Sequence, residues 1–182
     1  MCSINLSEYV INPFTKNADI DFKTLENDIF YIIEAMDDII DENLQYHALQ
    51  EQRDVATKFR NLGVGIMGIH DMLIKLGVKY SSKEGRDIVK NITNDILETA
   101  ILSSSKLASI RGKFPGYNEK ILESEIFKSL FFEEKEIEFI KKHGLRNSTL
   151  LSIAPTGSIG TMLNVSTGIE PWFSMSYMLS KA

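Results

Sequence analysis

The sequence predicts a helix-rich α/β fold in which parallel strands are joined by long helical connections. A strand-like apolar run at residues 3–6 opens the chain, and a second run at residues 150–154 lies near its other end. Between these runs, apolar residues recur every three or four positions, which is typical of amphipathic helices. Parallel strands need a crossover connection, and a series of helices supplies one.

The first helix is predicted to begin at Phe22, where an apolar stripe at helical spacing starts. The stripe comprises Phe22, Leu25, Ile29, Ile32, Ile33, Met36, Ile39 and Ile40. Four carboxylates crowd the end of this helix, namely Asp37, Asp38, Asp41 and Glu42. They lie at the end of the helix dipole that disfavours negative charge, so we expect them to be solvated. A catalytic carboxylate cluster is the alternative interpretation of the same residues.

The remaining helices are predicted from the same periodicity and from their cap residues. They cover residues 51–60, 71–76, 82–112, 120–127 and 133–143. Glycines follow or end three of them, at Gly77, Gly112 and Gly144, where a left-handed residue is favourable. A turn is predicted at Asn12-Pro13, after the first strand.

The composition indicates one globular domain over residues 1–182, with 43% apolar and 25% charged residues. A net charge of -5 argues against a general nucleic-acid binder, which needs a basic surface. The single cysteine, Cys2, allows no internal disulfide and suits a reducing compartment. No apolar run approaches the roughly 20 residues that span a bilayer, and no secretory signal pattern opens the chain. These observations favour a cytoplasmic protein without nucleic-acid or membrane partners.

Strand-like segments lie at both extremes of the chain. One is the run at residues 3–6, and the other is a possible strand at residues 172–177. Strands in these positions look like pieces of a larger sheet. We therefore expect residues 1–182 to be one fragment of a larger domain.

A glycine-rich segment, residues 61–68, resembles the GxGxxG fingerprint of dinucleotide-binding folds. No strand clearly precedes it, and no acidic residue follows a second strand at the required distance. The sequence instead predicts that these glycines allow close packing against a neighbouring element.

The residues after the second apolar run form the strongest candidate binding site. They are Pro155, Thr156, Gly157, Ser158 and Ile159, at the start of a predicted short helix. One interpretation is an ordinary turn, for which proline followed by glycine is common. The other is a phosphate site, because free N–H groups of a first helical turn and two hydroxyls can hold an anion.

Residues on both sides of this loop are candidates for supporting roles. Arg146 and Asn147 precede the strand-like run, and Glu170 is held extended by the proline that follows it. Arg146 is predicted to have a structural role, through pairing with a carboxylate such as Glu170 or capping of the preceding helix. Glu170 is open to a structural ion pair or to substrate contact. The three histidines lack metal-ligand spacing, so no metal site is predicted.

Three motifs give this chain its resemblance to a known family. The first is Ser3-Ile4-Asn5-Leu6-Ser7, and the second is Arg60-Asn61-Leu62-Gly63-Val64-Gly65-Ile66-Met67-Gly68. The third begins at Leu145-Arg146-Asn147-Ser148, continues through Ala154-Pro155-Thr156-Gly157-Ser158 and ends at Gly168-Ile169-Glu170-Pro171. In these motifs the chain resembles the large catalytic subunit of ribonucleotide reductase. The resemblance runs over nearly the whole chain and covers the C-terminal part of the family's catalytic barrel.

The resemblance implies a ten-stranded α/β barrel, of which this chain supplies an incomplete, helix-rich portion. It implies that residues 155–159 bind the substrate phosphates during radical reduction of ribonucleotides to deoxyribonucleotides. Gly160 stands where many members have serine, which removes one hydroxyl from the loop. Cys2 is at best a weak candidate for redox chemistry, because it falls where the family often has glycine.

The resemblance also implies partners and cofactors. The radical-bearing cysteine and the allosteric ATP-binding specificity site would lie upstream of Met1, so we expect the isolated chain to be inactive without the remainder of the large subunit. The radical source of the parent enzyme is a metal-radical small subunit or adenosylcobalamin, and this segment is expected to bind neither. The alternative function is an inactive nucleotide-binding or protein-interaction domain that kept the phosphate loop.

Overall fold

A computed structural model describes residues 1–174. The strands are β1 (Cys2–Asn5), β2 (Val10–Ile11), β3 (Asp19–Ile20) and β4 (Val64–Met67). The helices are α1 (Phe22–Leu44), α2 (Gln50–Phe59), α3 (Ile69–Lys75), α4 (Lys83–Arg111), α5 (Glu125–Lys128), α6 (Glu134–His143) and α7 (Gly157–Leu163). Short 3₁₀ turns cover Leu6–Tyr9 and Glu119–Glu123. No helix in this described part of the chain is long and apolar enough to cross a bilayer.

Two long helices, α1 and α4, pack against each other, and both contribute buried side chains to the core. Each begins at a side-chain cap: Asp21 accepts the Thr24 amide, and Ser82 accepts the Gly85 amide. Their buried apolar residues share one hydrophobic cluster with residues of β4 and α3. The fully buried side chains include Leu25, Ile29, Ile33, Met72, Leu73, Ile92 and Ile96.

Strand β4 lies at the centre of a small parallel sheet. β1 pairs with β4 in parallel, from Cys2 opposite Val64 to Asn5 opposite Met67. On the other side, Val64 forms a parallel bridge with Leu151, so a short extended segment at residues 150–152 adds a third strand. The prediction of a helix-rich α/β fold with parallel strands is confirmed, and the described strands close no barrel.

The glycine-rich segment packs closely against its neighbour, as predicted. A Cβ on Gly65 would lie 2.7 Å from the Ser152 carbonyl oxygen, so only glycine fits beside the extended segment. Gly68 has φ +72 and turns the chain from β4 into α3. Gly63 and Gly65 therefore lie just before and within a buried strand, and only Gly68 lies at the strand-to-helix turn, whereas the dinucleotide fingerprint puts all three glycines after the strand.

Several predicted elements have different boundaries in the structure. The helix expected over residues 120–127 is divided, because Ser124 caps α5 by accepting the Phe127 amide after the 3₁₀ turn ends. Of the strand expected at residues 172–177, positions 172–174 are not in a strand, and the rest lie outside the described residues. The second apolar run pairs only around Leu151, because the chain then leaves the sheet toward Pro155.

Asp95, on α4, has a buried carboxylate oxygen without a hydrogen-bond partner among the described residues. Burial, with the negative charges of Glu26 and Glu98, raises the pKa of Asp95 from 3.8 to about 6. The folded state therefore binds this proton more tightly than the unfolded chain does. It follows that the contribution of Asp95 to stability falls as the pH rises between about 4 and 6.

We expect Asp95→Asn to raise the free energy of unfolding by about 1–2 kcal/mol at a pH of about 7.5, because it removes a partly buried charge. Near pH ~4 the gain should disappear, since the native carboxyl group is then protonated. Urea unfolding at both pH values measures the difference. Asp87→Asn, at an exposed position of the same helix, should change stability by less than about 0.5 kcal/mol. An equal gain at both pH values would contradict the assignment.

Candidate functional site

Residues 155–159 form an exposed turn that opens into α7. Gly157, Ser158 and Ile159 occupy the first turn of the helix and are exposed. Within the described part of the chain, their amides meet no acceptor outside the helix, and the Ser158 hydroxyl has no partner. Amides at a helix start carry partial positive charge, so the turn presents donors to solvent.

Thr156 links this turn to the segment that follows α7. Its backbone is left-handed, with φ 53 and ψ 23, which is uncommon for a β-branched residue. Its Oγ1 accepts the Gly168 amide at 2.7 Å. The Thr156 hydroxyl therefore uses an acceptor site internally and keeps its proton to donate to a ligand.

Gly160 fits a position where a side chain has no room. A Cβ there would lie 2.7 Å from Cγ2 of Thr167 and 3.1 Å from the Val165 carbonyl oxygen. The resemblance described above implies serine at this position in many members of the family. The missing hydroxyl therefore has a structural reason in this chain, and the donors of the loop are its amides, Thr156 and Ser158.

Arg146 and Asn147 belong to a buried ionic cluster around Asp37. Arg146 Nε donates to Asp37 Oδ2 at 3.1 Å, and Asn147 Nδ2 donates to Asp37 Oδ1 at 2.9 Å. Arg60 reaches Asp37 Oδ1 at 2.8 Å, and Arg111 reaches Oδ2 at 3.2 Å. Asp37 is fully buried, so the prediction that the acidic end of α1 is solvated was wrong for this residue.

Burial by itself disfavours the charged form of Asp37. Hydrogen bonds from Arg60, Asn147 and Arg146 outweigh that effect and hold the pKa of Asp37 below its usual value. The carboxylate therefore stays ionised at neutral pH. The cluster joins α1, the end of α2, the end of α4 and the start of the extended segment that leads to Pro155.

The structure does not bring Arg146 and Glu170 together. Arg146 is engaged by Asp37, by Asp41 and by carbonyl oxygens at the end of α4. Its carboxylate partners are therefore Asp37 and Asp41, and not Glu170. Glu170 is exposed, and its side chain has no hydrogen-bond or ion-pair partner among residues 1–174. It lies on the segment after α7 that returns to the loop.

Cys2 is a free, half-buried thiol on β1. No group of three or more His, Cys, Asp or Glu residues in the described chain is arranged to hold a metal ion. Asp71 went unnoticed in the sequence, yet it accepts the Ser166 amide at 2.6 Å and the Trp172 indole N–H at 2.9 Å. An acidic residue in the first turn of a helix is so common that it gave no signal.

Sequence comparison decides the family. The family described as ribonucleotide reductase, barrel domain, matches residues 1–181. The chain belongs to the ribonucleotide reductase barrel-domain family. The predicted fold class and family are therefore confirmed, and the helix-rich, unclosed architecture is that of a partial barrel of this family.

Three relatives illustrate the range of similarity. The vitamin B12-dependent ribonucleoside-diphosphate reductase of Thermoplasma acidophilum is 34% identical over 97% of this chain and 20% of its own length. The ribonucleoside-diphosphate reductase subunit alpha of Chlamydia pneumoniae is 28% identical over 98% of this chain and 18% of its own length. The ribonucleoside-diphosphate reductase large subunit of Monkeypox virus is 29% identical over 95% of this chain and 23% of its own length. The chain thus spans about a fifth of the length of these relatives.

We expect Asp37→Ala to lower the free energy of unfolding by about 3–5 kcal/mol, because it removes the fully buried carboxylate that three arginines share. Among the described residues, the arginines keep only ion pairs to more exposed carboxylates, those of Asp41, Asp38 and Glu34. Because the pKa of Asp37 is lowered, its contribution is present at neutral pH and is lost as the pH falls through that lowered value. Chemical denaturation at neutral and acidic pH measures both effects.

The matched control is Asp38→Ala on the same helix. Asp38 is 60% exposed and pairs only with Arg111 among its described neighbours, so the loss should stay below about 1 kcal/mol. Equal losses in the free energy of unfolding for the two variants would show that the buried carboxylate stabilises the fold no more than an exposed one.

Proposed function

We propose that this chain is the part of a ribonucleotide reductase large subunit that binds the substrate's phosphates. The observation that carries the proposal is the exposed first turn of α7, whose amides have no protein acceptor beyond the helix in the described chain. Thr156 and Ser158 add hydroxyl donors beside them. Charge-assisted bonds of this kind contribute roughly 1.5–3 kcal/mol each, so several together hold a diphosphate without lysine.

The substrate class follows from the relatives that match along nearly the whole chain. Those relatives are named ribonucleoside-diphosphate reductases. We therefore assign a ribonucleoside diphosphate as the ligand, with its β- and α-phosphates against residues 156–159 and its ribose directed toward the chemistry. The loop supplies binding and orientation, which place the ribose at a fixed distance from the reacting groups.

The reaction replaces the 2′-hydroxyl of the ribose with hydrogen. A thiyl radical removes the 3′ hydrogen, and the 2′-hydroxyl takes a proton from one of a pair of thiols and leaves as water. The pair then supplies a hydrogen to C2′ and is oxidised to a disulfide, and the first cysteine returns the hydrogen to C3′, which regenerates the thiyl radical. We assign these cysteines to the remainder of the large subunit. We give Cys2 no role in this assignment, because it falls where the family often has glycine.

The partner of this chain is the rest of the barrel. Outside the pairing with β4, neither β1 nor residues 150–152 has a strand beside it in the described structure. Unpaired edges of parallel strands favour addition of further strands. We therefore propose that residues 1–182 are one portion of a barrel domain that the remaining large subunit completes.

Relatives named as B12-dependent and relatives named as subunits of other reductases match this chain over nearly all of its length. We propose that the segment serves both kinds of enzyme, since binding of the diphosphate does not depend on how the radical is generated. The radical source, a small subunit or adenosylcobalamin, then contacts other parts of the enzyme.

Binding of CDP to the chain, alone and combined with the remainder of a large subunit, tests the phosphate loop. Ser158→Ala should weaken binding by about 1–3 kcal/mol. Thr156→Ala should weaken CDP binding at least as much, because this change also removes the hydrogen bond from the Gly168 amide. Thr156→Ser keeps the hydroxyl and should bind CDP nearly as tightly as the parent chain does. Isothermal titration calorimetry measures these affinities.

Thr161→Ala is the matched control, since that hydroxyl already donates to the Gly157 carbonyl oxygen within α7. CDP affinity that stays unchanged in both loop variants would refute the phosphate site. CDP binding without deoxynucleotide formation, when the chain is combined with the remainder of a large subunit, would instead favour a non-catalytic nucleotide-binding domain.

A further inference from the structure

The segment after α7 is held by the start of α3. We call residues 165–172 the return arm. Asp71 accepts the Ser166 amide and the Trp172 indole N–H, one at each carboxylate oxygen. The neighbouring His70 accepts the Trp172 amide at its Nδ1, 2.8 Å away. Both ends of the return arm are therefore bound to the first turn of α3, which supplies no residue to the loop at residues 155–159.

The return arm in turn determines the shape of the phosphate loop. Its Gly168 amide is the donor to Thr156 Oγ1. Gly168 also has φ +50, and a Cβ on it would lie 3.2 Å from the Ala154 carbonyl oxygen, so the two chains approach closely. Thr167 fills the space beside Gly160 on α7. Movement of the arm would thus release the left-handed conformation of Thr156, which has a cost of its own.

The hydrogen bonds to Asp71 are charge-assisted, because the acceptor is an ionised carboxylate. The carboxylate is partly buried, and burial alone would favour its neutral form. The Ser166 amide and the Trp172 indole N–H outweigh burial and hold the pKa of Asp71 below its ordinary value. Hydrogen bonds to an ionised acceptor are shorter and about twice as strong as neutral ones. A neutral acceptor at this position would therefore hold the arm less firmly.

We propose that Asp71 is a positioning residue for the phosphate loop, acting through the return arm and the bond between Gly168 and Thr156. The role in ligand binding rests on the proposed function, whereas the effect on loop order does not. Asp71 contacts no part of residues 155–159 among the bonds of the described chain, so its influence on a diphosphate is indirect.

Amide hydrogen exchange by NMR on the full 182-residue chain tests the effect on loop order. In Asp71→Ala, exchange of the Gly168 amide should accelerate by about tenfold or more, while the amides of the α1–α4 core keep their protection. Asp71→Asn keeps one acceptor oxygen and should give an intermediate acceleration, and it also serves if the alanine variant is poorly folded. Asp87→Ala removes an exposed carboxylate from α4 and should leave Gly168 unchanged.

Titration with CDP and with inorganic pyrophosphate tests the effect on binding in the same samples. We expect the dissociation constant to rise by about tenfold in Asp71→Ala and by less in Asp71→Asn. Gly168 exchange within about twofold of the parent in Asp71→Ala would overturn the proposal, whatever the affinity. Loss of Gly168 protection with unchanged affinity would overturn it as well. If the parent chain binds neither probe, the proposed function fails, and Gly168 exchange still decides whether Asp71 orders the loop.

Discussion

The structure depends on the fully buried carboxylate of Asp37 and on the arginines that surround it. Removing a charged group from water is costly, and the cost is offset only where counter-charges and hydrogen bonds satisfy every oxygen. Here Arg60, Arg111 and Arg146 come from three separate segments and converge on one residue of α1. The cluster therefore fixes the ends of α2 and α4 relative to α1, and it sets the point from which the chain enters the sheet.

From that point the path to the loop is short and rigid. Residues 150–152 run beside β4, where the absence of a side chain on Gly65 lets the backbones approach. The chain then reverses at Pro155 and Thr156, and α7 starts with its amides facing outward. An apolar core, an ionic cluster and a glycine contact thus combine to hold an exposed set of donors, and rigid support of this kind is what an orienting site needs.

Local signals in the sequence were sufficient for the helices and the turn. The stripe of α1, the Ser82 cap and the glycine at position 112 are all short-range patterns, and the structure places α1 and α4 close to the predicted bounds. The proline, glycine and hydroxyls of residues 155–158 likewise located a turn followed by a helix. The close packing of the glycine-rich segment could be predicted because glycine is the residue that permits backbone approach.

Contacts between residues far apart in the sequence could not be predicted from such local patterns. Asp37 resembles the other carboxylates at the end of α1, and its burial depends on arginines that lie far along the chain. Strand β4 was hidden because half of its four residues are not β-branched, Gly65 among them. Asp71 resembles an ordinary residue of a first helical turn, and only the folded chain brings Ser166 and Trp172 to it.

The contact between Gly160 and Thr167 has a consequence for how the family can vary. A serine at position 160 needs space that the methyl group of Thr167 now fills. The two positions are therefore sterically coupled, because a side chain at position 160 fits only where the residue at position 167 leaves space for it. Relatives with serine at the first position should carry a residue without that methyl group at the second, so the two sites should covary across the family.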